Sequence, residues 1–139
     1  MEDSVNKLLI KEHARLLSYL VSMGNESDEE KLKEIYDKFK WNLEKHFFVE
    51  EKAIFDFYDK IKGHEVGNVF DLMQEHGDLL NLVKSVEEDF SHEKIEDLKN
   101  LLIKHQRFED EVFYPNLDKE LDDYKKKELI EKIKEVIRV

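Results

Sequence analysis

Apolar residues recur every three or four positions along almost the whole chain, the period of a helix that buries one face. The first stripe is Val5, Leu9, Leu16 and Leu20, with His13 on the same line. Gly24-Asn25-Glu26-Ser27-Asp28 interrupts it, and Ser27 or Asp28 can cap the next helix. The second stripe (Leu32, Ile35, Phe39, Leu43, His46, Glu50, Ile54, Phe57, Ile61) stops at Lys62-Gly63-His64. The third (Val66, Val69, Met73, His76, Leu80, Val83, Val86) stops at Phe90-Ser91-His92. The fourth (Ile95, Leu98, Leu102, His105, Glu109, Val112) ends before Pro115. A fifth, shorter stripe holds Leu117, Leu121, Tyr124, Ile130, Ile133 and Ile137. The pattern predicts helices over about 4–25, 28–61, 65–90 and 93–113, and a C-terminal helix over about 117–138. With short turns between them, the expected fold is all-α: an up-down-up-down four-helix bundle with a short additional C-terminal helix, a single domain over residues 1–139.

Composition narrows the function. Hydrophobic residues reach 40% beside 41% charged, enough to bury a core, so the chain is not a disordered tail. A net charge of −11 argues against nucleic acid or an anionic membrane as partner. Cysteine is absent, which removes disulfides, thiolate-held metal and a thiol nucleophile. The N-terminal stretch MEDSVNKLLIKEH has no apolar signal core, and no uncharged run approaches the roughly 20 residues of a membrane helix, so the expectation is a cytoplasmic protein. The run Lys125-Lys126-Lys127 reads as part of a solvated face. Trp41 and Tyr58 read as core packing, although either could lie near a site in the bundle.

Each of the four long stripes carries one interior histidine. A single such residue is ordinarily a hydrogen-bonded core imidazole. Burying four of them with at least two carboxylates and no common partner is costly. The surrounding sequence also repeats. Glu12-His13-Ala14-Arg15-Leu16-Leu17 matches Glu75-His76-Gly77-Asp78-Leu79-Leu80 as EHxxLL. The segment His46–Phe55, HFFVEEKAIF, matches His105–Tyr114, HQRFEDEVFY, with glutamate four residues after each histidine. The chain thus reads as two copies of one helical hairpin. Packing explains the matched Leu and Phe but not the matched His and Glu.

Residues four apart on a helix differ by about 40° in direction and 6 Å in height, so His46 and Glu50 can face one metal, as can His105 and Glu109. Heights in an antiparallel bundle follow from distance to the connecting turn. The level midway between His46 and Glu50 meets His76 about residue 62, inside the second turn. His76 meets the His105/Glu109 level near residue 91, inside the third. His13 meets the His46/Glu50 level near residue 30, a few residues past the first break, so the first helix continues through Gly24 or its connection is irregular. His64 and His92 fall at the bundle ends and are excluded as ligands. Four imidazoles and two carboxylates in one layer suit iron, manganese or zinc better than magnesium or calcium, and bridging carboxylates favour two ions.

These motifs, together with Val112-Phe113-Tyr114-Pro115, resemble the hemerythrin-like HHE cation-binding family over residues from about 8 to 120. The resemblance implies two iron ions in an oxo- or hydroxo-bridged di-iron centre. His13 and His46 would hold one iron and His76 and His105 the other, with Glu50 and an acidic residue of the fourth helix bridging. That residue is expected to be Glu109, which matches Glu50 in the repeat. Asp110 is the alternative, because oxygen carriers use His-x4-Asp; a regular helix turns it about 140° from His105, so it reaches the layer only through a π-type turn. Otherwise Asp110 is a solvated or supporting carboxylate. Oxygen carriers also have a histidine where this chain has Leu72. Of about 12 positions on two octahedral irons, four histidines with the bridges leave one open per iron.

The expected function is binding of a small gas, O2 or NO, for storage, delivery or sensing. The alternatives are an enzyme or iron donor in NO or peroxide detoxification or iron–sulfur cluster repair, and a bundle with a structural metal.

Overall fold

The computed structural model describes residues 5–63 and 66–138, and every regular element among them is helical. The elements are α1 (Val5–Asn25), α2 (Glu29–Val49), a π-helical turn (Glu50–Phe55), α3 (Asp56–Lys62), α4 (Gly67–Glu88), α5 (His92–Phe108), a second π-helical turn (Glu109–Phe113), α6 (Tyr114–Glu120) and α7 (Asp123–Arg138). Each π-helical turn joins its flanking helices into one rod, so the described residues form five rods. None of the described helices is long and apolar enough to cross a membrane. His64, expected at a bundle end, lies outside the described residues, as does the Ile137 side chain.

Local chemistry sets the rod ends. α1 runs through Gly24, and Asp28 then caps α2 by accepting hydrogen bonds from the amides of Glu30 and Lys31. Gly63 stops α3 in the left-handed region at φ 75°, where a β-carbon would be strained. Ser91 caps α5 through the Lys94 amide.

Two apolar clusters fill the interior. Leu16, Leu20, Tyr36, Phe39, Leu43, Leu79, Val83, Leu98 and Leu102 belong to one. Val5, Leu9, Val49, Ala53, Leu72, Phe113 and Leu117 belong to the other, and α7 covers it with Leu129 and Ile133. Between them lies a polar layer. His13 falls between Leu9 and Leu16, and His76 between Leu72 and Leu79, so each of the first four rods crosses from one apolar cluster to the other through a histidine.

The π-helical turns overturn several expectations. The fourth rod does not end before Pro115; it continues through α6, so Leu117 belongs to it and the C-terminal helix begins only at Asp123. In the wide turn the Tyr114 amide bonds the carbonyl of Glu109, five residues back. The next amide in that register belongs to Pro115, which has none. Asn6 Nδ2 donates instead to the orphaned Asp110 carbonyl at 3.4 Å. The extra residue per turn also rotates the positions beyond it. Val112 and Ile61, expected inside, are 39% exposed, while Phe113, Tyr114 and Tyr58 are buried. Met73 and Tyr124 also face outward; Leu72 takes the inner place on α4. Trp41 is 68% exposed and packs in no core, while Tyr58 is buried and bonds Glu120 through its hydroxyl.

Candidate metal centre

The layer between the two clusters is almost sealed. His13, His46, His76 and His105 are 1–3% exposed, and Glu50 and Glu109 are fully buried. All six residues expected to form one layer are brought together. Their atoms fall into two groups that could each hold a cation, His13, His46, Glu50 and Glu109 in one, Glu50, His76, His105 and Glu109 in the other. The two carboxylates belong to both. His92 is exposed at the start of α5, in neither group.

Every imidazole points Nε2 inward and Nδ1 outward. Each Nδ1 meets a carboxylate: His13 with Asp110 at 2.9 Å, His46 with Glu12 at 3.1 Å, His76 with Glu51 at 2.7 Å and His105 with Glu75 at 2.6 Å. A carboxylate at Nδ1 draws the proton there and leaves the Nε2 lone pair of the neutral ring facing the layer. Inside, His13 Nε2 and His46 Nε2 are 3.1 Å apart. Glu50 Oε1 lies 3.3 Å from His46 Nε2 and 3.1 Å from His76 Nε2. Glu109 turns Oε1 to His13 Nε2 at 3.3 Å and Oε2 to His105 Nε2 at 3.5 Å. Glu50 Oε1, His76 Nε2, His105 Nε2 and Glu109 Oε1 are buried without a hydrogen-bond partner. Such orphaned atoms cost free energy unless something common satisfies them, and converging lone pairs and carboxylate oxygens call for a cation. The residues fit a bound metal.

The four supporting carboxylates obey the same repeat as the layer. Glu12 and Glu75 precede the histidines of EHxxLL, while Glu51 and Asp110 follow the glutamates of HxxxE. Glu12 and Glu75 support the histidine of their own hairpin; Glu51 and Asp110 reach across to the other. Asp110 therefore stands behind His13 and does not enter the layer, even though a π-helical turn is present: that turn begins at Glu109, after the His105/Glu109 pair is set. Sequence reasoning missed Glu12, Glu51 and Glu75 as supports. The doubled EH and E-acid pairs were the signal that could have found them.

Aromatic rings hold the second hairpin's histidine in place. Phe47 stacks on His76 with ring centroids 3.8 Å apart, and Phe55 packs on it at 5.6 Å. Near His13 the matching positions are polar: Gln106 donates to the His13 carbonyl at 3.3 Å, and the Tyr114 ring lies 6.3 Å away. A cleft of about 10 Å³ lined by Glu12, Arg15, Leu16, Asn42 and His46 leads from the surface toward His46, room for one water-sized molecule.

Electrostatics in the metal-free protein set how a cation would enter. Burial raises the Glu50 pKa, but the neighbouring His46 and His76 outweigh it and hold the carboxyl well below its usual range. Burial, then the Glu50 charge, push Glu109 well above its usual range. Burial alone would lower His76, yet its contacts with Glu50 and Glu51 push it up to about 9. A cation must displace that proton. Apparent affinity is therefore expected to climb as pH rises toward about 9 and to level off above it, with proton release on binding. Stability of the metal-free fold runs the other way: the His76 contribution is complete below 6.5 and lost as pH rises through about 9. Zinc competition titrations across that window check the first sign. An affinity that does not change with pH would show that His76 is no ligand.

An all-helical bundle with two buried histidine–glutamate groups is the class that fold and site define. The hemerythrin HHE cation-binding domain matches residues 4–117, and the chain belongs to that family. Comparison with curated proteins and with solved structures found no match.

Proposed function

We propose that residues 1–139 form a single hemerythrin-like domain, an up-down-up-down bundle around two iron ions, that binds O2 or NO for storage, delivery or sensing in the cytoplasm. The observation that carries this reading is the arrangement of four inward Nε2 atoms around two shared carboxylates, each imidazole backed by its own acid. His13, His46, Glu50 and Glu109 would hold one ion, and Glu50, His76, His105 and Glu109 the other. Six protein donors of mixed nitrogen and oxygen character suit iron and leave positions free for a small ligand. Iron bound there would supply open coordination positions and reversible one-electron chemistry to a diatomic molecule.

The chain's own part is to prepare the layer. Glu12, Glu51, Glu75 and Asp110 fix the imidazole tautomers, Phe47 and Phe55 fix the His76 ring, and the two apolar clusters keep bulk water out. Hydrogen bonds between Asn6 and Asp110 and between Gln106 and His13 tie α1 to the fourth rod.

A metal assay of protein loaded with iron(II) without air, beside its visible spectrum before and after air, tests this directly. The expected result is one iron for each of the two groups and a spectrum that oxygen changes reversibly. Irreversible oxidation would favour the enzyme or iron-donor alternative. A single zinc per chain, with no affinity for iron, would sink the di-iron reading.

A further inference from the structure

The outward face of α2 is apolar where contact with water favours polar side chains. Trp41 is 68% exposed and Phe48 is 55% exposed. They stand seven residues apart on a regular helix, so they point the same way, about 10 Å from each other. Together with Glu44, Lys45 and Val136 they line a groove of about 380 Å³. α7 reaches this groove at Val136 and leaves both rings uncovered. An exposed Trp–Phe ridge of this kind marks a contact surface.

The charges beside the ridge indicate what it meets. Lys38 and Lys45 flank it on one side, about 40–60° around the helix from Trp41, and Asp37 and Glu44 flank it by the same angle on the other. Asp37 pairs with Lys33 of its own helix at 2.9 Å. Among the described residues, Lys38, Glu44 and Lys45 form no ion pair. α2 carries five acidic residues and five lysines and is therefore neutral, in a chain whose net charge is −11. The overall charge repels a second copy, but this helix does not. A two-fold axis parallel to α2 lays the lysine side of one copy against the acidic side of the other, whereas an antiparallel pairing sets like against like. We propose that this face is where two copies of the chain pair, parallel about such an axis, with Trp41 and Phe48 of each packed on their counterparts and Lys45 of each against Glu44 of the other. Two aromatic layers make a small interface, below about 1,200 Å² in total, so the pairing is a weak equilibrium. The inference goes beyond the function proposed above and does not depend on which metal the layer holds.

Trp41 is the chain's one tryptophan, so its emission reads the contact directly. As concentration rises from about 1 μM to about 1 mM, the emission is expected to move to shorter wavelength. Sedimentation equilibrium should show the mass rising toward twice the 16.8 kDa of one chain. Trp41→Ala removes a side chain that supports no core, and should weaken pairing by about tenfold or more. Glu44→Lys and Lys45→Glu each set like charges face to face, and each alone should weaken pairing about fivefold. The double variant swaps both charges and should return to within about twofold of the wild type. A chain that stays monomeric up to about 1 mM, with the emission of an exposed indole, overturns the proposal. So does a dimer whose strength neither Trp41→Ala nor the single charge reversals change, because it uses another face. A double variant that pairs no better than the single ones overturns it as well.

Discussion

Glu109→Gln is expected to strip the protein of most of its iron, whereas Asp110→Asn should keep it at high metal concentration. Glu109 is fully buried and turns one oxygen to His13 and the other to His105, so it is the residue that spans both groups most evenly. An amide in its place offers one neutral oxygen and a donor nitrogen aimed at His13 or His105, and neither the charge nor the second lone-pair face survives. Asp110 is 24% exposed and meets only the outer nitrogen of His13. Its loss loosens the ring and lowers its basicity, an effect typically of about 10- to 100-fold in metal affinity. Metal assay after dialysis, together with a competition titration, measures both. If Asp110→Asn loses the metal and Glu109→Gln keeps it, metal entry reorganises the second π-helical turn and Asp110 is the bridge.

The second large effect is thermal. A cation that binds only the folded chain stabilises it by about 4 kcal/mol at a thousandfold excess over its dissociation constant, which for a domain of this size raises the melting midpoint by about 10–15 °C. His13→Ala and His76→Ala should each abolish most of that increment, because each removes one of only two imidazoles from its group and weakens the shared carboxylates of the other. In the metal-free protein the same substitutions remove a buried imidazole beside a buried carboxylate. The midpoint there is expected to move far less than the metal-dependent increment, since a cavity and a relieved polar burial offset each other. Scanning calorimetry with and without iron checks this. An unchanged metal-dependent increment in His76→Ala would mean that its group binds no cation.

The layer is legible in the chain residue by residue. His13, His46, His76 and His105 lie on apolar helical lines, a placement visible without any tertiary contact. The duplicated EHxxLL and HxxxE motifs then show that the four belong to one arrangement, and the distance of each from its turn puts them at one height. Asp28 and Ser91 as caps, and Gly63 as a stop, follow from local backbone chemistry alone. Trp41 and Met73 failed on regular helices, but the other misplaced positions lie beyond an HxxxE pair. Ile61, Val112 and the end of the fourth rod were read on a uniform 3.6-residue period, and the two π-helical turns break that period by one residue. A helix that widens for one turn has no composition of its own, so the break could not be seen in the chain.

The sequence by itself determined that this protein is helical, that it is built from two matched hairpins, and which six side chains meet at its centre, because those depend on spacing along single helices. Only the tertiary structure decided what stands behind and between them. Asp110 supports His13 from another rod, Glu51 supports His76, and Tyr114 takes one oxygen of Glu50. Those partners are 97, 25 and 64 residues apart in the chain, so their meeting depends on how the rods rotate against one another. A single π-helical residue resets that rotation.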